Sequence, residues 1–452
     1  MKTQIGKGDT PTTMNTAYDA ATVRLKREMA EELKKFCDEI RSTNDMEASE
    51  NLARTIGLKF GALLMEEGIS RRGTGYSGEF AECEECGGKH RCVDIRIKTF
   101  LTVVGEVCIP RAYYPPGKDC GACAFPLDKE LGLIGFRTSP GLRRSMAWMA
   151  AMDPFGKAEQ AFLEVAGVRI SKTAIWMTSE KIGAVLAKNE EQSRQDAINS
   201  PQPVTEAPAV PRLYGTLDAA KIHLEEGWKD IKVMAWYEPD EKKQDDSRDR
   251  AKNVTYRARL EPAEEFGEFF WDEARRRGVE KALELIILGD GALWIWNLVA
   301  HHFPAATQIV DYYHAREHLW AVGKALFGEG TPETEKWIKT VKPLLKAGKI
   351  EELIKTFENL RPVKREVREI VRLNIGYFRE NKDRMRYADF RKKGYHIGSG
   401  IVEGACKHLI GQRQKGPGMI WSPTGAQAIA SLRSSFLSHD RQKDIDRALR
   451  VA

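Results

Sequence analysis

The sequence predicts a multidomain α+β protein in which a helical N-terminal region, a metal-binding β module and a helical pair precede a mixed α/β unit. Three observations predict it. Two CxxC pairs flank a stretch of alternating apolar residues, strands alternate with helices beyond residue 212, and residues 188–211 carry Pro201, Pro203, Pro208 and Pro211. A length of 452 residues suits about three compact units.

Residues 16–70 read as helix, with Val23, Leu25, Met29, Leu33, Phe36 and Ile40 at three- and four-residue steps. From Cys92 to Tyr114 the pattern alternates as strands do, with Gly105-Glu106 as the expected turn. Two helices, Ala158–Val165 and Ser171–Ile182, are joined through Gly167 with Ser171 as N-cap, the length and turn of a helix-turn-helix. The expected strands that follow are Leu213–Leu217, Ile231–Trp236 and Val254–Leu260, then a helix over 263–278. Leu285–Leu288 is a short apolar strand ending at Gly289-Asp290-Gly291, and Gln308–Asp311 is another after an intervening helix. Residues 314–389 read as almost wholly helical. The expected divisions are 1–75 (helical), 76–130 (metal-binding hairpin), 135–190 (helix-turn-helix), 191–211 (linker), 212–320 (sheet), 321–392 (helical insertion) and 393–452 (C-terminal helices).

Several classes are excluded. The most apolar stretch, Leu283–Ala300, contains Glu284 and Asp290, so no membrane span is expected. The first residues, MKTQIGKGDTPTT, lack the apolar core of a signal peptide, and eight cysteines are too sparse for a disulfide scaffold. A cytoplasmic chain is expected. Its net charge of +6 is uneven: residues 331–452 hold 26 Lys+Arg against 14 Asp+Glu, or +12, which leaves −6 on the rest. A basic C-terminal quarter suits a polyanion such as nucleic acid, or simply a solvated helical surface.

Cys83-x-x-Cys86 and Cys120-x-x-Cys123 each offer two thiolates at the spacing of a tetrahedral zinc site. Gly87, Gly88 and Gly121 permit the tight turns, and a hairpin between the pairs brings them together. The expected ligands of a structural Zn²⁺ are those four, with Cys92 and His90 near enough to take a ligand's place. Three acids, Asp218 in GTLDAAKI, Asp290 in LIILGDG and Glu403 in GSGIVEGACKH, lie in or beside apolar segments, where a carboxylate needs a cation. Each alone reads first as a turn Asp or a helix-starting Glu rather than as a metal ligand.

Together they carry a resemblance. GTLDAAKI, ILGDGALWIWN, DYYHAREHL and YHIGSGIVEGACKHLIGQR resemble the motifs of bacterial insertion-sequence DDE transposases related to the Mutator group, most specifically the ISKra type. The cysteine knuckles and GVRISKTAIW also look like that family's zinc and helix-turn-helix regions. The resemblance implies an RNase H-like core in which Asp218, Asp290 and Glu403 hold two Mg²⁺ (or Mn²⁺) ions, with Asp311 and His314 of DYYH in a supporting role. It implies DNA partners, namely transposon terminal repeats and target DNA, a homodimer or higher homo-oligomer on DNA, and a nucleoid-associated location. Lys172, Arg361, Lys364, Arg365, Lys407 and Arg413 are the expected DNA contacts. Tyr377, Phe378, Tyr387 and Phe390 are either base-stacking groups or helix core. A hydrolytic nuclease or resolvase on the same fold, and a DNA-binding regulator without catalysis, are the alternatives.

Overall fold

The computed structural model describes residues 11–83, 86–116, 120, 124–200, 207–240 and 250–451, with side chains from residue 23 on. The chain divides into two compact units, one of residues up to Ile182 together with those from Asp446, the other Gly183–Ile445. None of the described helices is long and apolar enough to cross a membrane.

The first unit opens with α1 (Pro11–Ile40) and α2 (Met46–Ser70). Asp45 caps α2 by accepting from the Ala48 N–H at 2.7 Å. Two three-residue strands, β1 (Phe80–Glu82) and β2 (Lys89–Arg91), pair around the first cysteine knuckle. The hairpin of β3 (Asp94–Thr102) and β4 (Gly105–Tyr113) follows. Its turn is Val103-Val104 rather than the expected Gly105-Glu106, because Gly105, at φ 103°, takes the positive-φ position that closes such a loop. Phe100, Val107 and Ile109 pack with Ile69 of α2 and with Leu127 of α3 (Pro126–Glu130).

Helices α4 (Pro140–Met152), α5 (Phe155–Ala161) and α6 (Lys172–Asn199) come next. A π-helical turn, Phe162–Ala166, extends α5, and Gly167 at φ 66° ends it. The Ser171 hydroxyl accepts from the Ala174 N–H at the start of α6, as its N-cap role requires. Leu142, Met146, Ala158, Phe162 and Ile175 form the core of this helical group.

α6 corrects the expected 191–211 linker. The helix runs to Asn199, well into that range. Its polar residues are engaged: the Ser193 hydroxyl donates to Asp272 at 3.0 Å, Glu190 pairs with Arg259 at 3.1 Å, and Arg194 bridges Glu191 and Glu268. A polar composition without apolar rhythm reads as linker, yet here the polar groups find partners on a folded neighbour. Pro201 and Pro203 lie outside the described residues.

The second unit is a five-stranded mixed sheet in the order β7-β6-β5-β8-β9. Strands β5 (Arg212–Leu224), β6 (Gly227–Pro239) and β7 (Ala251–Arg259) form an antiparallel meander. Helix α7 (Ala263–Arg276) leads to β8 (Glu284–Gly289), parallel to β5, and α8 (Leu293–His302) leads to β9 (Thr307–Val310), parallel to β8. α9 (Tyr312–Phe327), α10 (Pro332–Ala347), α11 (Ile350–Glu358), α12 (Arg365–Asn381) and α13 (Tyr387–Lys392) are the expected helical insertion. The expected boundary at 320/321 cuts through α9. A single core runs from Leu217, Trp236 and Ile287 of the sheet to Leu345, Phe357, Phe378 and Tyr387 of the insertion. The insertion is therefore fused to the sheet, and three of its four singled-out aromatics, Phe378, Tyr387 and Phe390, are buried core residues. α14 (Gly400–Ala405), a π-turn over Cys406–Gly411, α15 (Gln412–Gln414), α16 (Pro423–Leu437) and α17 (Gln442–Val451) complete the chain.

Candidate functional site

Cys83, Cys86, His90 and Cys120 converge in the first unit, with their ligand atoms all within 4.8 Å of one another. Cys83 Sγ lies 3.7 Å from Cys120 Sγ, and Cys86 Sγ 3.5 Å from His90 Nε2. Bonds of about 2.3 Å to sulfur and about 2.0 Å to nitrogen place tetrahedral ligands roughly 3.5–3.8 Å apart. The cluster thus fits a metal such as zinc. His90 enters from β2, where the knuckle turn at Gly87, φ 66°, returns the chain beneath Cys86. Cys123, an expected ligand, lies outside the described residues. The Cys92 thiol turns away toward the Asp94 carbonyl.

The second unit gathers the acids. β5 pairs with β8 in parallel up to Thr216↔Leu288, and Asp218 and Asp290 each stand two residues beyond that last pair. Asp218 was expected at a strand end. β5 instead continues to Leu224, paired with β6 and at its end bridged to Trp421, so the acid stands inside the strand, just beyond where β8 stops. Burial pushes the Asp218 carboxyl above its usual range, the nearby Asp290 adds to this, and a hydrogen bond from the Cys406 thiol opposes it. Burial raises the Cys406 thiol far above its ordinary value, so it carries the proton and donates. Asp290 Oδ1 accepts from the Ala292 N–H at 2.8 Å, which closes its turn.

Glu403, on α14, lies near enough to Asp218 for the two charges to act on each other. Burial raises its carboxyl, and the charges of Asp311 and Asp218 raise it further. The route by which it arrives depends on Asp311. That fully buried residue caps α9 through the His314 N–H at 2.7 Å, and its other oxygen accepts from the Ser399 N–H. The Tyr312 N–H donates to the Ile397 carbonyl at 2.8 Å. Gly398 permits this lashing, since a Cβ there would meet the Tyr313 ring at 2.8 Å. Ser399 then begins α14 and stands 3.4 Å from Glu403 Oε1. His314 is partly exposed, lies 3.5 Å from Glu317, and its charge bears on Asp218.

Of the expected DNA contacts, Lys172, Arg361, Lys364, Arg365 and Lys407 are exposed. Lys364 and Arg365 occupy the N-cap and first position of α12, where the helix dipole disfavours cations, and the charge of Arg365 acts on Glu369. Arg413 is corrected. It is 1% exposed, with its guanidinium 5.1 Å over the Trp421 ring, and cannot reach a phosphate from there. The π-turn before it rotates the helix, so spacing from Glu403 misjudged its face.

Sequence reasoning did not single out Cys406 or Tyr377 as neighbours of the acids, or Asp311 as the anchor of Ser399. The GSG turn before Glu403 was the one available signal for that anchor. The family model described as an uncharacterised protein family (UPF0236) matches residues 84–444, most of the chain. Among curated proteins nothing matches.

Proposed function

We propose, for a chain that belongs to the uncharacterised protein family UPF0236, that it is a metal-dependent DNA transposase of the DDE kind, which cleaves transposon ends and joins them to target DNA. The observation that supports this reading is that Asp218 and Asp290 stand side by side beyond the last β5–β8 pair, with the Glu403 carboxyl feeling the charge of Asp218. Numbered within the second unit, the strand order is 3-2-1-4-5, with the third strand pairing antiparallel and the last two parallel, which supports an RNase H-like core. The α5–α6 pair is then a helix-turn-helix with Lys172 on the DNA side, and a homodimer or higher oligomer assembles on the ends.

On this reading the acids would hold Mg²⁺ or Mn²⁺: Asp218 and Glu403 are raised by burial and by neighbouring carboxylates, a cost that a divalent cation relieves. Such ions, when bound, supply charge neutralisation and activation at the attacking and leaving oxygens. Asp311 holds the turn from which Glu403 projects. Lys407, Arg361, Lys364 and Arg365 bind the DNA backbone.

The test uses DNA carrying the inverted repeats that flank the coding region. Asp290→Asn should slow cleavage and strand joining by at least about 10³-fold, the scale on which charge stabilisation governs phosphoryl transfer. Zinc content and DNA affinity should persist. Cleavage without joining in the unaltered protein would return the nuclease reading, and binding with neither would return the regulator.

A further inference from the structure

The Asp290 turn leans on a residue that belongs to the helical insertion. Gly291, at φ 102°, passes so close to Tyr377 that a Cβ would meet its Cε2 at 2.6 Å. The Tyr377 hydroxyl donates to the Asp290 carbonyl oxygen at 2.9 Å. Behind the ring lies His318, stacked at 3.6 Å between centroids and 17° between planes. His318 Nδ1 is 2.8 Å from Asn374 Oδ1, and the Asn374 amide donates to the Ile370 carbonyl at 2.7 Å. Burial holds His318 below its usual range, so at neutral pH it is the neutral ring whose Nδ1–H donates to Asn374. α9 and α12 thus hold Tyr377 from two sides.

We propose that Tyr377 is a positioning residue for Asp290, making the insertion a working part of the carboxylate site. An acid that faces another acid is pushed outward, and its turn must be tied down to hold it in place. Two successive carbonyls do this: Gly289 accepts from the Asp311 N–H at 2.8 Å, and Asp290 accepts from Tyr377. The Asp290 side chain, through Oδ1, bonds only within its own turn, so these carbonyls are what join that turn to the rest of the fold. α12 also bears Lys364 and Arg365 at its far end. One helix then links a phosphate-facing end to a metal-facing residue, about 18 Å apart at 1.5 Å per residue. Only the metal readout below rests on the function proposed above.

The experiment compares the full chain, zinc in place, with Tyr377→Phe, which keeps the buried ring and removes the donor. Mn²⁺ affinity is measured by electron paramagnetic resonance, and amide exchange is followed over residues 286–296. Tyr377→Phe should weaken Mn²⁺ binding about 5–10-fold, the effect of one lost hydrogen bond, and speed exchange in that segment while Tm stays within about 2 °C. His318→Phe, which keeps a stacked ring, should show a smaller change in the same direction. Unchanged Mn²⁺ affinity in Tyr377→Phe, with binding abolished by Asp290→Asn, overturns the proposal. If the unaltered chain binds no Mn²⁺, the metal reading above falls and exchange decides: faster exchange at 286–296 sustains the positioning role, and unchanged exchange overturns it.

Discussion

Cys83, Cys86, His90 and Cys120 all lie within residues 83–120, whereas Asp218, Asp290 and Glu403 come from a strand, a strand end and a helix between residues 218 and 403. The first set sits beside β1 and β2, strands of three residues each, which bury almost nothing. Backbone bonds such as Cys83 N–H to the Gly88 carbonyl close the knuckle, and its side chains stand at ligand distance from one another. The second set sits on a sheet with a continuous core, and its acids repel. Tyr377 of α12 bonds the Asp290 carbonyl, and Asp311 ties the start of α9 to Ser399 before Glu403. The difference teaches that a metal held by the first cluster would supply folding energy, while the second region is built on a packed core and tolerates an electrostatic cost.

The largest expected effect breaks the first half of that contrast. Cys120→Ser or His90→Ala should remove the zinc and unfold the segment around residues 80–125, since structural zinc contributes on the order of 10 kcal/mol to such modules. Metal analysis and limited proteolysis check this, and the sheet unit should remain folded. Cys123→Ser should keep the zinc if His90 is the fourth ligand, and lose it if the second CxxC pair binds intact.

A smaller effect separates two cations that follow Glu403. Arg413→Ala should destabilise the second unit by about 3 kcal/mol, because it empties a buried site and removes the cation above Trp421. Lys407→Ala should change stability by less than about 0.5 kcal/mol, while it weakens DNA binding and flattens its salt dependence. Denaturant unfolding and binding at several salt concentrations distinguish the two. Equal stability losses would place both side chains in the core.

The smallest effect sharpens the second half. Asp218 and Glu403 have raised carboxyls, chiefly through burial. The raised pKa means that their protonated forms suit the fold. Their contribution is fully present below the ordinary carboxylate pKa of about 4 and is lost as pH rises through the raised value. Asp218→Asn should therefore raise Tm at pH 7 by about 2–4 °C, roughly 1 kcal/mol for a unit of this size, with the gain vanishing below about pH 4. Melting curves across that range in the absence of divalent ions measure it. A lower Tm at pH 7 would mean that the carboxylate is satisfied as it stands.

The hairpin, the alternation of strands and helices after residue 212 and the knuckle cysteines were legible because each is written in residues a few positions apart. Alternation of period two marks β3 and β4, and CxxC spacing marks a thiolate pair whatever surrounds it. The reading failed at residues 191–199, where a helix is held by polar partners on α7, far away in the chain. It failed again at Arg413, where a π-turn changes the helical phase that spacing assumes.

The sequence by itself determined which residues can do chemistry here: soft ligands in one stretch, and acids beside apolar strands in another. Local steric preference and the cost of burying charge act residue by residue, so they leave a trace in the order of amino acids. Only the tertiary structure decided that Asp218, inside β5, and Asp290, just past β8, each stand two residues beyond the last β5–β8 pair, that His90 faces the cysteines, and that Asp311 and Tyr377 tie the turns at Ser399 and Asp290. Those facts depend on pairing register and on contacts between segments tens of residues apart. Such contacts are set by how the whole core packs, and packing has no local signature.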